Sequence, residues 1–144
     1  MSHRVRMQDI MPLRRWHFGG DEVPQDAYTA SPACKDFLQQ HPRLSSTKDL
    51  KTYFVKRVVA MAGRHGLAIY GWEDAYSNAW GMPIDRSQLK TSHDVVSQAY
   101  YNTWEGGGAM KAYQLANNGY KVKDVDSFLL TLTLFSSFAF VLSN

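Results

Sequence analysis

The 144-residue chain is 44% hydrophobic and 20% charged, a make-up that excludes intrinsic disorder and suits one globular domain or part of a larger one. Its net charge of +3 is spread among interspersed acids, so the chain shows no footprint for nucleic acid or for an anionic membrane surface. Cys34 is the only cysteine, which excludes an internal disulfide framework and a cysteine-based zinc site. No other metal site is spelled out, and no cofactor is expected.

From the start, residues 1–15 mix His, Arg, Asp and Met without an apolar run of signal-peptide length, so no export signal is visible there. A first strand is predicted near Trp16–Gly19. Between Lys48 and Gly66 the apolar residues Leu50, Phe54, Val55, Val58, Val59 and Ala62 recur at helical spacing, with Lys51, Lys56 and Arg57 opposite and Gly66 as the stop. The run Leu67–Trp72 lacks polar alternation and suits a strand buried on both faces. A further strand is predicted over Asp94–Tyr101, a helix over Ala109–Asn118 closed by Gly119, and another strand from Tyr120. Alternating helices and short apolar strands indicate an α/β fold, either a doubly wound sheet or a (β/α)8 barrel. About four strands can be counted, whereas a complete barrel takes eight and roughly 250 residues.

The densest chemical signal is His17-Phe18-Gly19-Gly20-Asp21-Glu22-Val23-Pro24. Two glycines permit a sharp turn just where a strand gives way to a loop, and two adjacent carboxylates follow. Like charges this close in a partly dry site suit proton transfer, since they cannot both ionise easily. An arbitrary Asp-Glu pair, by contrast, sits in a solvated turn. Trp72 and Trp104 fall just after predicted strands, where barrel sites are built, although core packing is the ordinary use of such a residue. Glu73 and Asp74 suit helix capping. Gly106-Gly107-Gly108 is not followed by the Lys-Ser/Thr of a phosphate loop and reads as a loop between strand and helix. Trp16 and Trp80 receive no role.

The motif His17–Pro24 resembles, almost letter for letter, the active-site motif of family 20 glycoside hydrolases, the β-N-acetylhexosaminidases. The segments Ser31–Cys34, Tyr53–Arg57, Gly71–Ala75, Tyr101–Trp104 and Asn117–Val122 resemble the chitobiase-like branch in the same order. The resemblance implies a partial (β/α)8 barrel over residues 16–122, about strands 4 to 7, after a poorly matched segment over 1–15. It implies retaining, substrate-assisted hydrolysis of terminal N-acetylhexosamine from oligosaccharides or glycoconjugates. Glu22 would be the general acid and then base, Asp21 the group that holds the acetamido N–H and stabilises the oxazolinium, and Trp72 and Trp104 the walls of the acetamido pocket. His17, ahead of the two glycines, suits either orienting a carboxylate from behind or the ordinary use as a satisfied, partly buried histidine. Members of the family work in secretory, lysosomal or extracellular settings, and many dimerise. The family also takes a sugar-binding arginine from an early strand, and a tyrosine, an aspartate, a tryptophan and a glutamate from later ones. The resemblance places none of these here, which implies little or no activity for this polypeptide alone.

Val141-Leu142-Ser143-Asn144 resumes the family pattern after an interruption over 123–140. Residues 127–140 are almost wholly Phe, Leu, Ser, Thr and Ala, types whose codons are rich in pyrimidines. The stretch reads as a retained intron translated in frame, a non-native insertion or tail. A rival reading is a membrane anchor, since Ser127–Asn144 carries no charge, but its Ser and Thr content makes a weak span. A non-catalytic sugar-binding derivative is the alternative from a different functional class.

Overall fold

The structure is a computed structural model, and it describes residues 12–101, 108 and 110–124. Four strands form one parallel sheet in the order β1-β2-β3-β4: β1 Arg15–His17, β2 Ala68–Trp72, β3 Val95–Ala99 and β4 Lys121–Asp124. Parallel neighbours require crossovers, and these are supplied by α1 (Pro32–Gln40) with α2 (Asp49–Arg64), by a loop holding two short 3₁₀ turns (Glu73–Tyr76 and Arg86–Gln88), and by α3 (Met110–Asn117). Sequential parallel strands joined in this way are half of the barrel that the sequence implies. The tail over 125–144, and with it the reading of an insertion or anchor, lies outside the described residues. Among the described residues no helix is long and apolar enough to cross a membrane.

Helix α2 forms where the 3.6-residue period predicted it. Leu50, Val55, Val58, Val59 and Ala62 are buried. All but Leu50 meet Ile69, Val95, Leu89 and Leu115 in one core cluster, so α2 and α3 share a single apolar interior with the sheet. Phe54, counted with the core face, is instead 52% exposed; it stands at the edge of the apolar stripe, with its ring 6.4 Å from that of Phe18. Both glycine stops work by one mechanism. Gly66 (φ +70°) and Gly119 (φ +86°) take the left-handed conformation after their helices. The pairs Gly66 N–H to Gly63 O with Leu67 N–H to Ala62 O, and Gly119 N–H to Ala116 O with Tyr120 N–H to Leu115 O, then satisfy the last carbonyls.

Strand β2 departs from expectation. Ile69 and Gly71 are buried against the helical layer, but Ala68, Tyr70 and Trp72 are only half-buried. The strand therefore alternates, and one face of the sheet is open. Register explains which residues share that face: His17 pairs with Tyr70 and Trp72 with Gln98. Side chains of paired residues in adjacent strands point the same way, so the open face gathers His17, Tyr70, Trp72 and Gln98. The loop after β2 is anchored beneath by the buried Tyr120 hydroxyl, which donates to Ile84 O at 2.6 Å.

Candidate active site

The site begins where β1 ends. Phe18 N–H still bonds to Tyr70 O at 2.9 Å, and Trp72 N–H bonds to Gly19 O at 3.2 Å, so the turn leaving β1 is tied to the carboxyl end of β2. Gly19 (φ +72°) and Gly20 (φ +87°) then reverse the chain. Glu22 also takes positive φ, +52°, the one residue other than glycine to do so among those described. This is an uncommon conformation for a side-chain-bearing residue, sustained only when the surroundings impose it. Here the restraint is Asp74, whose Oδ2 accepts the Glu22 N–H at 2.5 Å across 52 residues of chain. Asp74 is in turn held by Lys51, whose Nζ donates to the Asp74 backbone O at 2.7 Å.

Asp74 therefore does a different job from the capping assigned on sequence. Neither Glu73 nor Asp74 caps its own 3₁₀ turn, which has no side-chain cap. Glu73 is buried to 1% exposure, with no hydrogen-bond partner at either carboxylate oxygen. Burial drives its pKa up; the Lys111 charge and the backbone N–H groups of Tyr101 and Tyr100 pull it back by smaller amounts without reaching hydrogen-bond geometry, while the charge of Asp74 adds a little to the rise. The dry carboxyl of this region is thus Glu73, whereas Asp21 and Glu22 are both exposed on the described surface.

A raised folded-state pKa means that the folded state holds its proton to higher pH than the unfolded chain. The stability tied to Glu73 is then complete below the unfolded value of 4.5 and is lost as pH rises through the folded value. Glu73→Gln keeps the shape without the charge, so the variant is expected to melt higher than the parent at pH 7, with the gap closing near pH 4. Thermal melts at the two pH values check this; a variant that melts lower by the same margin at both would refute it.

His17 lies beside the pair. Its Nδ1 accepts the Gly19 N–H at 3.1 Å, which leaves Nε2 as the protonated nitrogen of the neutral ring. Desolvation lowers its pKa below 6.5, more than the hydrogen bond with Gln98 and the negative charge of Asp21 raise it. The ring is therefore neutral at pH 7, and the stability it contributes is present above 6.5 and lost as pH falls through the folded value. An NMR titration is expected to place the His17 midpoint below 6.5, and Asp21→Asn to lower it further by removing the charge that raises it. A midpoint indifferent to Asp21→Asn would show that the two groups do not interact.

Trp72 closes the other side. Its ring meets His17 edge-on with centroids 5.1 Å apart and Tyr100 at 5.5 Å, in both cases near a T-shape. Tyr100 was not singled out from the sequence, yet it stands amid the acids: burial raises its pKa most, followed by the charges of Asp74, Glu22, Glu73 and Asp21. Its phenol stays protonated at neutral pH as a hydroxyl donor. The signal that would have found it is strand alternation, because Tyr100 lies two residues beyond Gln98, the register partner of Trp72. The structure brings Asp21, Glu22, His17 and Trp72 together; Trp104 lies outside the described residues.

Comparison with known proteins bears on the family and the fold. Residues 5–130 match the model of the glycosyl hydrolase family 20 catalytic domain. Beta-hexosaminidase 3 of Arabidopsis thaliana is 37% identical over 80 residues, covering 56% of this chain and 14% of the relative. A Beta-hexosaminidase of Porphyromonas gingivalis is 29% identical over 65 residues, covering 45% of this chain and 8% of the relative. The crystal structure of Flavobacterium johnsoniae chitobiase superimposes with a TM-score of 0.57 at 22% identity, covering 85% of this chain and 17% of that one, and it places the four strands within a (β/α)8 barrel. This chain thus spans a small part of each of these proteins. With a catalytic-domain match over most of its length and the four parallel strands of that barrel, the chain belongs to glycosyl hydrolase family 20.

Proposed function

We propose that this chain carries the proton-transfer apparatus of a β-N-acetylhexosaminidase, acting on terminal N-acetylhexosamine of oligosaccharides or glycoconjugates by substrate-assisted, retaining hydrolysis. The observation that carries the reading is the Glu22 backbone, held in a left-handed conformation by Asp74 and adjacent to Asp21, at the carboxyl end of parallel strands. Strained backbone over-determined by its surroundings is characteristic of catalytic positions, and barrel chemistry is located at that end of the strands.

In this reading Asp21 accepts the acetamido N–H and so makes the acetamido oxygen a better nucleophile. That oxygen attacks the anomeric carbon, the glycosidic C–O bond breaks, and Glu22 passes its proton to the leaving oxygen. Asp21 then opposes the positive charge of the oxazolinium. Glu22 takes a proton from water, which attacks the anomeric carbon and returns the acetamido group. Trp72 supplies a flat wall for the acetyl methyl, the role the resemblance also assigns to Trp104, and the Tyr100 hydroxyl adds a donor. The resemblance places the family's sugar-binding arginine, tyrosine, aspartate, further tryptophan and glutamate outside residues 16–122, so in this reading orientation is weak and the polypeptide alone turns over far below the ~1–10³ s⁻¹ of typical enzymes.

The test is an NMR titration of the chain with a thiazoline mimic of the intermediate, alongside hydrolysis of a chromogenic N-acetylglucosaminide. Shifts at the Asp21 and Glu22 amides and the Trp72 indole, absent with a glucose analogue lacking the acetamido group, are expected. No response at these residues would overturn the assignment, and turnover at an ordinary enzymatic rate would overturn the claim of weak orientation.

A further inference from the structure

Next to the Asp21–Glu22 turn lies a cavity of about 150 Å³, walled by Val23–Gln25, the start of α2 and the loop after β2. At about 30 Å³ per water molecule it holds roughly five waters, or a small polyatomic ion with part of its hydration. Three lysines line it: Lys48, Lys51 and Lys111. None of the three forms an ion pair with a carboxylate among the described residues, where Lys121 pairs with Asp94 instead. Lys51 Nζ has the Asp74 backbone O as its acceptor, while Lys48 and Lys111 lie 5.6 and 5.4 Å from the ring centroids of Trp80 and Tyr101. The single acid of the lining, Asp74, already uses Oδ2 on Glu22, and its Oδ1 is buried without a hydrogen-bond partner.

The rest of the lining adds donors. Asn78 Oδ1 accepts the N–H groups of Trp80 and Met82, which leaves its NH₂ to donate. Burial disfavours the Lys51 cation most, the charge of Asp74 favours it, and the charge of Lys111 disfavours it by a smaller amount. Three lysines against the one carboxylate of the lining leave this half-buried cavity with an excess of positive charge, which is most readily stabilised by an anion that accepts from several of them at once.

We propose that this cavity binds a tetrahedral oxyanion, sulfate or phosphate, either free or as an ester carried on a glycan. The site is distinct from the Asp21–Glu22 pair, but Lys51 holds Asp74 and through it the Glu22 backbone, so the variants that test it are at Lys48 and Lys111. Sodium sulfate titrated into the chain at constant ionic strength against chloride is expected to give saturable amide shifts at Val23, Gln25, Lys51 and Asn78, leaving Trp72 unmoved. Lys111→Gln and Lys48→Gln are each expected to weaken sulfate about tenfold, as for one charge-assisted hydrogen bond at the low end of its range. Unchanged melting curves confirm that both variants fold. Shifts that fail to saturate, that chloride reproduces, or that both variants leave intact overturn the proposal. N-acetylglucosamine bearing a sulfate ester separates the sources: binding tighter than both sulfate and the unsulfated sugar assigns a glycan-borne anion, and binding no tighter than sulfate assigns a free one. Either result depends on the cavity alone and leaves the test with the thiazoline mimic to decide hydrolysis separately.

Discussion

Gly20→Ala is expected to destabilise the chain by about 2–5 kcal/mol, from two additive causes. The residue has φ +87°, where a side chain costs on the order of 1–2 kcal/mol. A Cβ there would also lie 2.7 Å from Ala75 Cβ and 2.8 Å from Phe18 Cε2, contacts that real structures avoid and that add roughly 1–3 kcal/mol. Gly66 separates the causes. It shares the positive φ, at +70°, but nothing lies within 4 Å of its would-be Cβ, so Gly66→Ala carries the conformational cost alone. Urea unfolding of the two variants should show Gly20→Ala the more costly by the steric difference; equal costs would mean that Phe18 and Ala75 yield freely. The loss also reaches the site, because Ala75 follows Asp74 directly, and moving it shifts the carboxylate that holds Glu22.

Much of this architecture is legible in the sequence because it is local. The apolar period of α2, its Gly66 stop and the Gly119 stop of α3 each depend on residues within one or two turns, and all three are found where predicted. Helix α1 escaped because it buries no residue, so periodicity carries no signal; its start is nonetheless written in Ser31, whose side chain accepts the Cys34 N–H, and in Pro32 at the first helical position. The two-sided burial expected of β2 failed because an apolar run does not disclose whether a second layer covers Tyr70 and Trp72. At the site, the Gly-Gly-Asp-Glu turn is local and legible. The roles of Asp74 and Tyr100 are not, since one depends on a bond across 52 residues and the other on strand register.

The second large effect concerns that long-range bond. Asp74→Ala removes the acceptor of a charge-assisted hydrogen bond, typically about 1.5–3 kcal/mol, and leaves the Glu22 N–H without its restraint. Glu22 then has no reason to remain at φ +52° and is expected to relax toward the commoner region, which redirects its side chain relative to Asp21. Two consequences follow from one cause, and they can be measured on one sample. Hydrogen exchange at the Glu22 amide should accelerate about tenfold or more, as expected when a bond of this strength is lost. Response to the thiazoline mimic should vanish at Glu22 while the core melts as a cooperative unit. Asp74→Asn supplies the control, because its amide oxygen still accepts the Glu22 N–H without the charge. Partial rescue of both exchange protection and ligand response by Asn assigns Asp74 to holding the acid in place. If Ala and Asn behave alike and Glu22 stays protected in both, the left-handed turn is maintained by the Gly19-Gly20 backbone and Asp74 is a bystander.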